Sequence, residues 1–501
     1  MPAFTPPGSP GSPTSSPPSS EADRTCFFSA RTFWLLFAAI LVLGTFIRHW
    51  DSASWRLTGY DELLYRRYLI LMDGGRQEFH VFLSKGGDRT FGTEVNHQGV
   101  GAMPEISTLY VKTQAIPETQ CELPPTRFTF LSTAWLWKEI RFGNKPPLTW
   151  DELRADAMKT RGEDYAQDAT RLDPHLHALN DITFFFSILT IAVAGLAAWR
   201  MAGRAAGLAV MLLIACDPIL IHMSQHAMID GVFAFWSLVC LWTTWENLRH
   251  PNHRGWLLAH VLCLAVMVLT KENSFFVYVA LGAAVLANRW LHFGRVTGKF
   301  LAASVVGGAL GAGLMILIYG GVDNVVGIFR AFVTKSQTLE QVLLIGDGPW
   351  HRYVMDMLIV SPLVLSLALG ALFTLSGKRK ELGFGFVFIG ASYLVMCNLP
   401  HGMNLRFATI WDFPLRLAAV LMIFELVRRL PRYTAGVAPA LVLVLVLVLA
   451  ACEFRQYTIL ATNTDPRLVF YELDTKSLLR PLKIIKDRQD LVAEQRETQA
   501  K

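Results

Sequence analysis

The chain has 501 residues, of which 52% are hydrophobic and 17% charged. Soluble proteins carry charge on nearer a quarter of their residues, so a string of soluble domains is excluded in favour of a multi-pass membrane protein. A formal net charge of +6 over this length fits basic cytoplasmic loops and speaks against a nucleic-acid partner.

Residues 1–31 read as a disordered cytoplasmic tail. Up to residue 22 they are mostly Pro, Ser and Gly, which cannot bury a core. Thr32 to Ile47 is free of charge and flanked by Arg31 and Arg48. It is signal-like, but no small-x-small cleavage site follows, so it reads as a retained first helix. Residues 49–180 turn polar and form one large extramembrane loop. Two stretches of it are amphipathic. Leu63, Leu64, Tyr65, Tyr68, Leu69 and Leu71 make the first, and Phe128, Leu131, Trp135 and Trp137 the second. Both read as interfacial helices with aromatics at headgroup depth. The alternative is a loop subdomain that packs on itself.

A span needs about 20 apolar residues. On that measure further spans are expected near 181–199, 204–221, 228–246, 255–270, 274–291, 299–320, 353–376, 382–398, 407–428 and 435–452, which makes eleven with the first helix. The expected fold is therefore an all-α polytopic membrane protein with its embedded domain over 32–452. Alternate loops carry the basic residues: Arg200 and Arg204; Arg249 and Arg254; Arg289, Arg295 and Lys299; Lys378, Arg379 and Lys380; Arg428, Arg429 and Arg432. The positive-inside rule makes these loops and the amino terminus cytoplasmic. The long first loop and the polar tail 453–501 then lie outside. None of the seven cysteines sits in a CxxC or zinc-like spacing.

The outer loops collect the unusual polar residues. Asp61 and Glu62 follow helix 1. His222, His226 and Asp230 lie in one turn, Thr270-Lys271-Glu272-Asn273 in the next, and Asn398 to Arg406 in a third. Charges at a membrane edge are costly to desolvate and mark function by default. Each cluster also has a plain reading. An Asp-Glu pair suits the start of a solvated helix. The four-residue spacing of His222, His226 and Asp230 suits either a divalent cation or a hydrogen-bonded polar turn, and Pro218 nearby argues for a helix break. No metal ligands are assigned on spacing alone, and a divalent cation stays an open cofactor. Asp412 and Arg416, spaced i, i+4 inside a span, read as a structural ion pair.

At this point the chain resembles the GT-C-fold glycosyltransferases of the protein O-mannosyltransferase and aminoarabinose-transferase type, over about residues 30–430. The resemblance rests on Asp61-Glu62 after helix 1, Gly203-Arg204 opening a span, and Asp217-Pro218 leading to Ile229-Asp230-Gly231. Leu269-Thr270-Lys271 and Arg406-Phe407 complete it. Two features depart from the family pattern. Arg406-Phe407 stands where Arg-Tyr is common, and the loop motif His-Pro-Pro-Leu is only echoed by Pro124-Pro125-Thr126-Arg127 or Pro146-Pro147-Leu148. The soluble sugar-binding-type domain of the eukaryotic members is missing, which implies a bacterial inner-membrane enzyme.

The resemblance implies transfer of a sugar from a polyprenyl-phosphate donor to an extracytoplasmic acceptor: a protein, lipid or glycan. Asp61 is then the expected general base. Glu62 orients the acceptor or a partner such as Arg66 or Arg127, and Asp230 holds sugar hydroxyls or assists the base. Lys271 and Arg406, with His226 as a donor, hold the phosphate. Arg66, Arg127, His222 and Glu272 are the expected acceptor or sugar contacts. The rival is a secondary transporter or lipid-linked-substrate flippase. That class favours repeated halves and midplane charges; no clear repeat is evident here, and most of the notable charges lie at one edge.

Overall fold

A computed structural model describes residues 29–49, 60–74, 127–147, 173–318, 349–398, 404–430 and 437–462, with a few further positions between 321 and 329. Among the described residues all regular structure is helical. The described part begins with α1 (Ala30–His49). Two helices of the first loop follow, α2 (Tyr60–Gly74) and α3 (Phe128–Phe142). The bundle then runs through α4 (Pro174–Ala202), α5 (Arg204–Ala215), α6 (Pro218–Gln225), α7 (Ile229–Arg249), α8 (Arg254–Val268), α9 (Ser274–Leu291) and α10 (Gly298–Ile318). It closes with α11 (Arg352–Val360), α12 (Pro362–Leu375), α13 (Lys380–Cys397), a 3-10 helix (Leu405–Trp411), α14 (Asp412–Arg428) and α15 (Ala438–Thr462).

Local chemistry sets these boundaries. Asp173 accepts from the N–H groups of His175 and Leu176 at 3.0 Å, and Pro174 takes the first helical position, so α4 starts there. Gly203 ends it with φ +97°, a conformation a side chain would strain. The expected span over 204–221 is broken. Asp217 caps a new helix through Ile219 and Leu220, Pro218 follows, and α5 and α6 meet at 54°. Because α5 has only 12 residues, about 18 Å of rise, the break falls within the thickness of a bilayer.

Among the described residues, six helices qualify by length and composition as membrane spans, or seven if α5 and α6 count as one. Eleven is thus not established, although every expected span contains a helix. The 353–376 span is split at Ser361-Pro362 into α11 and α12. The 407–428 span begins with 3-10 turns before α14. α15 continues ten residues past 452, to Thr462.

α4 is the hub. It packs on α1, α5, α6 and α7, and it also receives α2 and α3. The loop helices therefore do not pack only on themselves. Tyr65, Tyr68, Leu69 and Met72 of α2 join Phe130, Leu131 and Ala134 of α3. Together they cover Leu179, Ile182, Val232 and Phe235 of α4 and α7. α3 keeps Leu136, Trp137 and Ile140 exposed, as a helix lying at an interface would.

Candidate active site

Two buried polar clamps fold the first loop back over the bundle. Arg66 of α2 reaches the capping carboxylate Asp173 through Nε at 2.8 Å and Nη2 at 2.7 Å. Asp73 accepts from Lys138 Nζ at 2.6 Å and Trp135 Nε1 at 3.0 Å, and it meets His175 Nε2 at 2.6 Å. Burial alone would raise the Asp73 carboxyl; His175 and Lys138 outweigh it and hold Asp73 below its ordinary range. The α3 end of the loop is pinned directly to the α8–α9 link, where Thr129 N–H donates to Leu269 O at 3.1 Å.

This docking brings the expected polar clusters together. The Glu62 carboxylate is fully buried and accepts from the Ala227 N–H, in the turn between α6 and α7. His226 Nδ1 lies 3.6 Å from the same oxygen. His222, on the last turn of α6, places its ring 4.4 Å from that of His226. Because α6 ends at Gln225 and α7 begins at Ile229, His222, His226 and Asp230 do not share one helix face. The polar-turn reading describes this segment.

Asp230 occupies the first turn of α7, where the helix dipole favours a carboxylate. It forms a buried ion pair with Lys271, from the link between α8 and α9. Arg406 Nη1 lies 3.9 Å from its other oxygen. Arg406 is stationed by Asn404, whose side chain accepts the Arg406 N–H at 3.0 Å and whose carbonyl accepts from Tyr353 Oη at 3.1 Å. Two aromatic rings flank the lysine, with Nζ 4.5 Å from the Phe407 centroid and 6.0 Å from that of Phe233. Burial lowers the Lys271 pKa; Asp230 and Glu272 oppose that without cancelling it. Next along the chain, Glu272 accepts from Arg127 at 3.1 Å. Burial would raise Glu272, but Arg127 and Lys271 outweigh it and bring its pKa down to about 2.

Asp61 falls in the first turn of α2; its side chain lies outside the described positions. Of the other expected residues, Glu62, His226 and His222 share one set of contacts, Asp230, Lys271 and Arg406 a second, and Arg127 with Glu272 a third. Arg66 instead reaches Asp173, one turn along α2. Sequence reasoning treated Tyr65 as an apolar anchor only. Its hydroxyl accepts from Arg127, and the guanidinium stands 5.2 Å from its ring. Gln225 was likewise passed over, yet it accepts from Tyr457 of α15 at 2.7 Å. Tyr65 was legible as a residue one turn from Glu62; Tyr457 gave no local signal.

Residues 179–319 match the family model described as dolichyl-phosphate-mannose-protein mannosyltransferase. That segment holds Asp230 and Lys271 but not Asp61 or Arg406. No curated protein matches the chain. Among solved structures, the oligosaccharyltransferase of Archaeoglobus fulgidus in its apo form is similar at 11% identity and a TM-score of 0.52, over 87% of this chain and 56% of that one. ArnT from Cupriavidus metallidurans in the apo state is similar at 16% identity and 0.44, over 87% of this chain and 66% of that one. ArnT bound to undecaprenyl phosphate gives 15% and 0.46 over the same shares. The chain therefore spans just under two thirds of the ArnT structures and little more than half of the archaeal one. The fold is the GT-C fold, and the expected resemblance to the protein O-mannosyltransferase type holds over residues 179–319.

Proposed function

We propose that this multi-pass membrane protein, with its GT-C fold and its mannosyltransferase match from α4 to α10, moves a sugar from a polyprenyl-phosphate donor to an acceptor hydroxyl. The reaction runs on the face away from the Lys/Arg-rich loops, outside the cytoplasm of a bacterial inner membrane. One observation carries the reading: Lys271 and Arg406, from distant parts of the chain, converge on Asp230 beside the turn that receives Glu62. Two cations gathered at a membrane edge suit a phosphate anion.

In this reading Asp230 holds both cations until the donor phosphate takes them. The acceptor oxygen attacks the anomeric carbon, and the bond from that carbon to the phosphate oxygen breaks. Its electron pair leaves on the phosphate, whose charge Lys271 and Arg406 stabilise. The acceptor proton passes to Asp61, which sits one residue before Glu62 at the start of α2. A single displacement of this kind inverts the anomeric centre. Glu62 and His226 shape the acceptor side, and Arg127 with Glu272 holds the α3 end of the loop over the site.

The test uses membranes containing the protein and a panel of radiolabelled polyprenyl-phosphate sugars. One label is expected to move covalently to an acceptor. Asp61→Asn should lower that turnover by about 10²–10⁴-fold while leaving insertion and folding unchanged. Wild-type turnover in a well-inserted Asp61→Asn protein would remove Asp61 from its role. Label that crosses the membrane still attached to its carrier would favour the flippase instead.

A further inference from the structure

At the far end of α9 from Lys271 lies a second feature that the transfer reaction does not use. α9 leans on α13, whereas α8 packs along α10. The two pairs diverge and leave a cavity of about 550 Å³ between them, within the range of small-molecule and lipid sites. Leu286 and Val305 line it and are each 64% exposed. In a bilayer those faces meet lipid, so the cavity opens sideways into the membrane.

The cavity has a closed end and an open end. Towards Lys271, Tyr278 bridges it by donating to Ser304 O at 3.1 Å, with its ring against Gly308. Towards the Lys/Arg-rich side, Arg289 lines the mouth. Arg295 and Lys299 stand exposed on the link and first turn of α10 at the same end. No Asp or Glu occurs from Ser274 to Lys299 to offset them. From Tyr278 to Arg289 is eleven residues of one helix, about 16 Å of rise, which is the depth of a single leaflet. Midway, a side chain added at Gly282 would meet nothing within 4 Å, so this stretch of the groove is vacant of protein.

We propose that this groove binds one anionic diacyl phospholipid from the leaflet on the Lys/Arg-rich side. An acyl chain lies between α9 and α10, and the phosphate rests on Arg289 with Lys299 and Arg295 around it. Length, lateral opening and charge all favour that occupant. A donor tail entering from the Lys271 side meets Tyr278 first, so the site is separate from the proposed donor site.

The test is native mass spectrometry of the full chain purified in mild detergent and offered phosphatidylglycerol or phosphatidylcholine of equal chain length. Wild type should retain one phosphatidylglycerol with at least tenfold preference. Gly282→Leu, which fills the groove, should lose that lipid without losing its melting transition. Arg289→Gln combined with Lys299→Gln, both at exposed positions, should keep a lipid but lose the preference. Undiminished phosphatidylglycerol binding by Gly282→Leu would overturn the proposal. So would equal retention of the two lipids by wild type, or displacement of the bound lipid by an equal concentration of undecaprenyl phosphate.

Discussion

Lys271 is a lysine kept below its usual pKa by burial, against the pull of Asp230 and Glu272. Only its protonated form attracts a phosphate. Donor affinity should therefore be complete below the lowered pKa and fall as pH rises through it, earlier than an ordinary lysine would allow. Lys271→Arg should shift this alkaline limb upward, because guanidinium stays charged. Lys271→Ala removes one charge-assisted hydrogen bond, worth about 1.5–3 kcal/mol. The apparent KM for donor should rise about 10–100-fold, with a smaller change in kcat. An unchanged donor KM would separate Lys271 from the phosphate. Its neighbour Glu272 has the opposite sign. Its folded pKa of about 2 lies below the ordinary value, so its stabilising contribution is full above roughly pH 4.3 and fades as pH falls towards 2. Arg127→Ala should therefore lower stability most above about pH 4.3, where that contribution is full, and the gap to wild type should narrow as pH falls towards 2.

Among the helices, close approach depends on where a glycine sits. Gly307 and Gly311 of α10 lie one turn apart against α8. A Cβ on either would come within 2.9 Å of Val261 O or 2.8 Å of Ala265 O. Backbone cannot retreat there as a side-chain tip would, so this is a small-xxx-small contact of the kind membrane helices use. Gly311→Leu should lower the detergent melting temperature by several degrees, whereas Gly282→Leu on α9 should leave it near wild type. Equal behaviour of the two variants would remove the packing argument. The same residue-level chemistry explains what could be foreseen. Asp173-Pro174, Gly203 and Asp217-Pro218 are local signals for the ends of α4 and the break before α6, although the sequence reading carries the first loop on to 180 and takes 204–221 as one span. The Ser361 break has a proline, but it interrupts an apolar run that reads as one span. The 3-10 turns after Asn404 depend on Tyr353, a residue 51 positions away. In the site, loop sidedness predicted that Asp230, Lys271 and Arg406 face one way. The actual ion pairs, and the part played by Tyr65 and Phe233, depend on packing that no local pattern encodes.

Across the described residues, helices from distant parts of the sequence are tied together by buried charge inside the bundle. Arg416 of α14 was expected to pair with Asp412, and it does so at 3.1 Å. It also reaches Asp217 at the α5–α6 break at 2.9 Å and Glu453 of α15 at 2.8 Å. Glu453 explains why α15 runs on past the expected edge, since its carboxylate belongs to the core and accepts from Ser361 as well. Arg48, read from sequence as a flanking charge of α1, is buried too. It donates to Ser187 at 2.6 Å and to the carbonyls of Ile214 and Ala215 at 3.0 and 2.8 Å, which end α5. One guanidinium, Arg416, thus serves three carboxylates from three parts of the bundle. Desolvating so many charges makes the cluster weak evidence of net stability, but removing one member leaves the others buried without compensation. Arg416→Met should cost about 3–5 kcal/mol, seen as loss of the monodisperse peak and of the melting transition in detergent. Neutralising the partners as well, with Asp217→Asn, Asp412→Asn and Glu453→Gln in the same chain, should restore much of that transition. Asparagine at 217 keeps the cap on α6. If the fourfold variant melts no higher than Arg416→Met alone, the cluster holds α14 and α15 by specific geometry rather than by balance of charge.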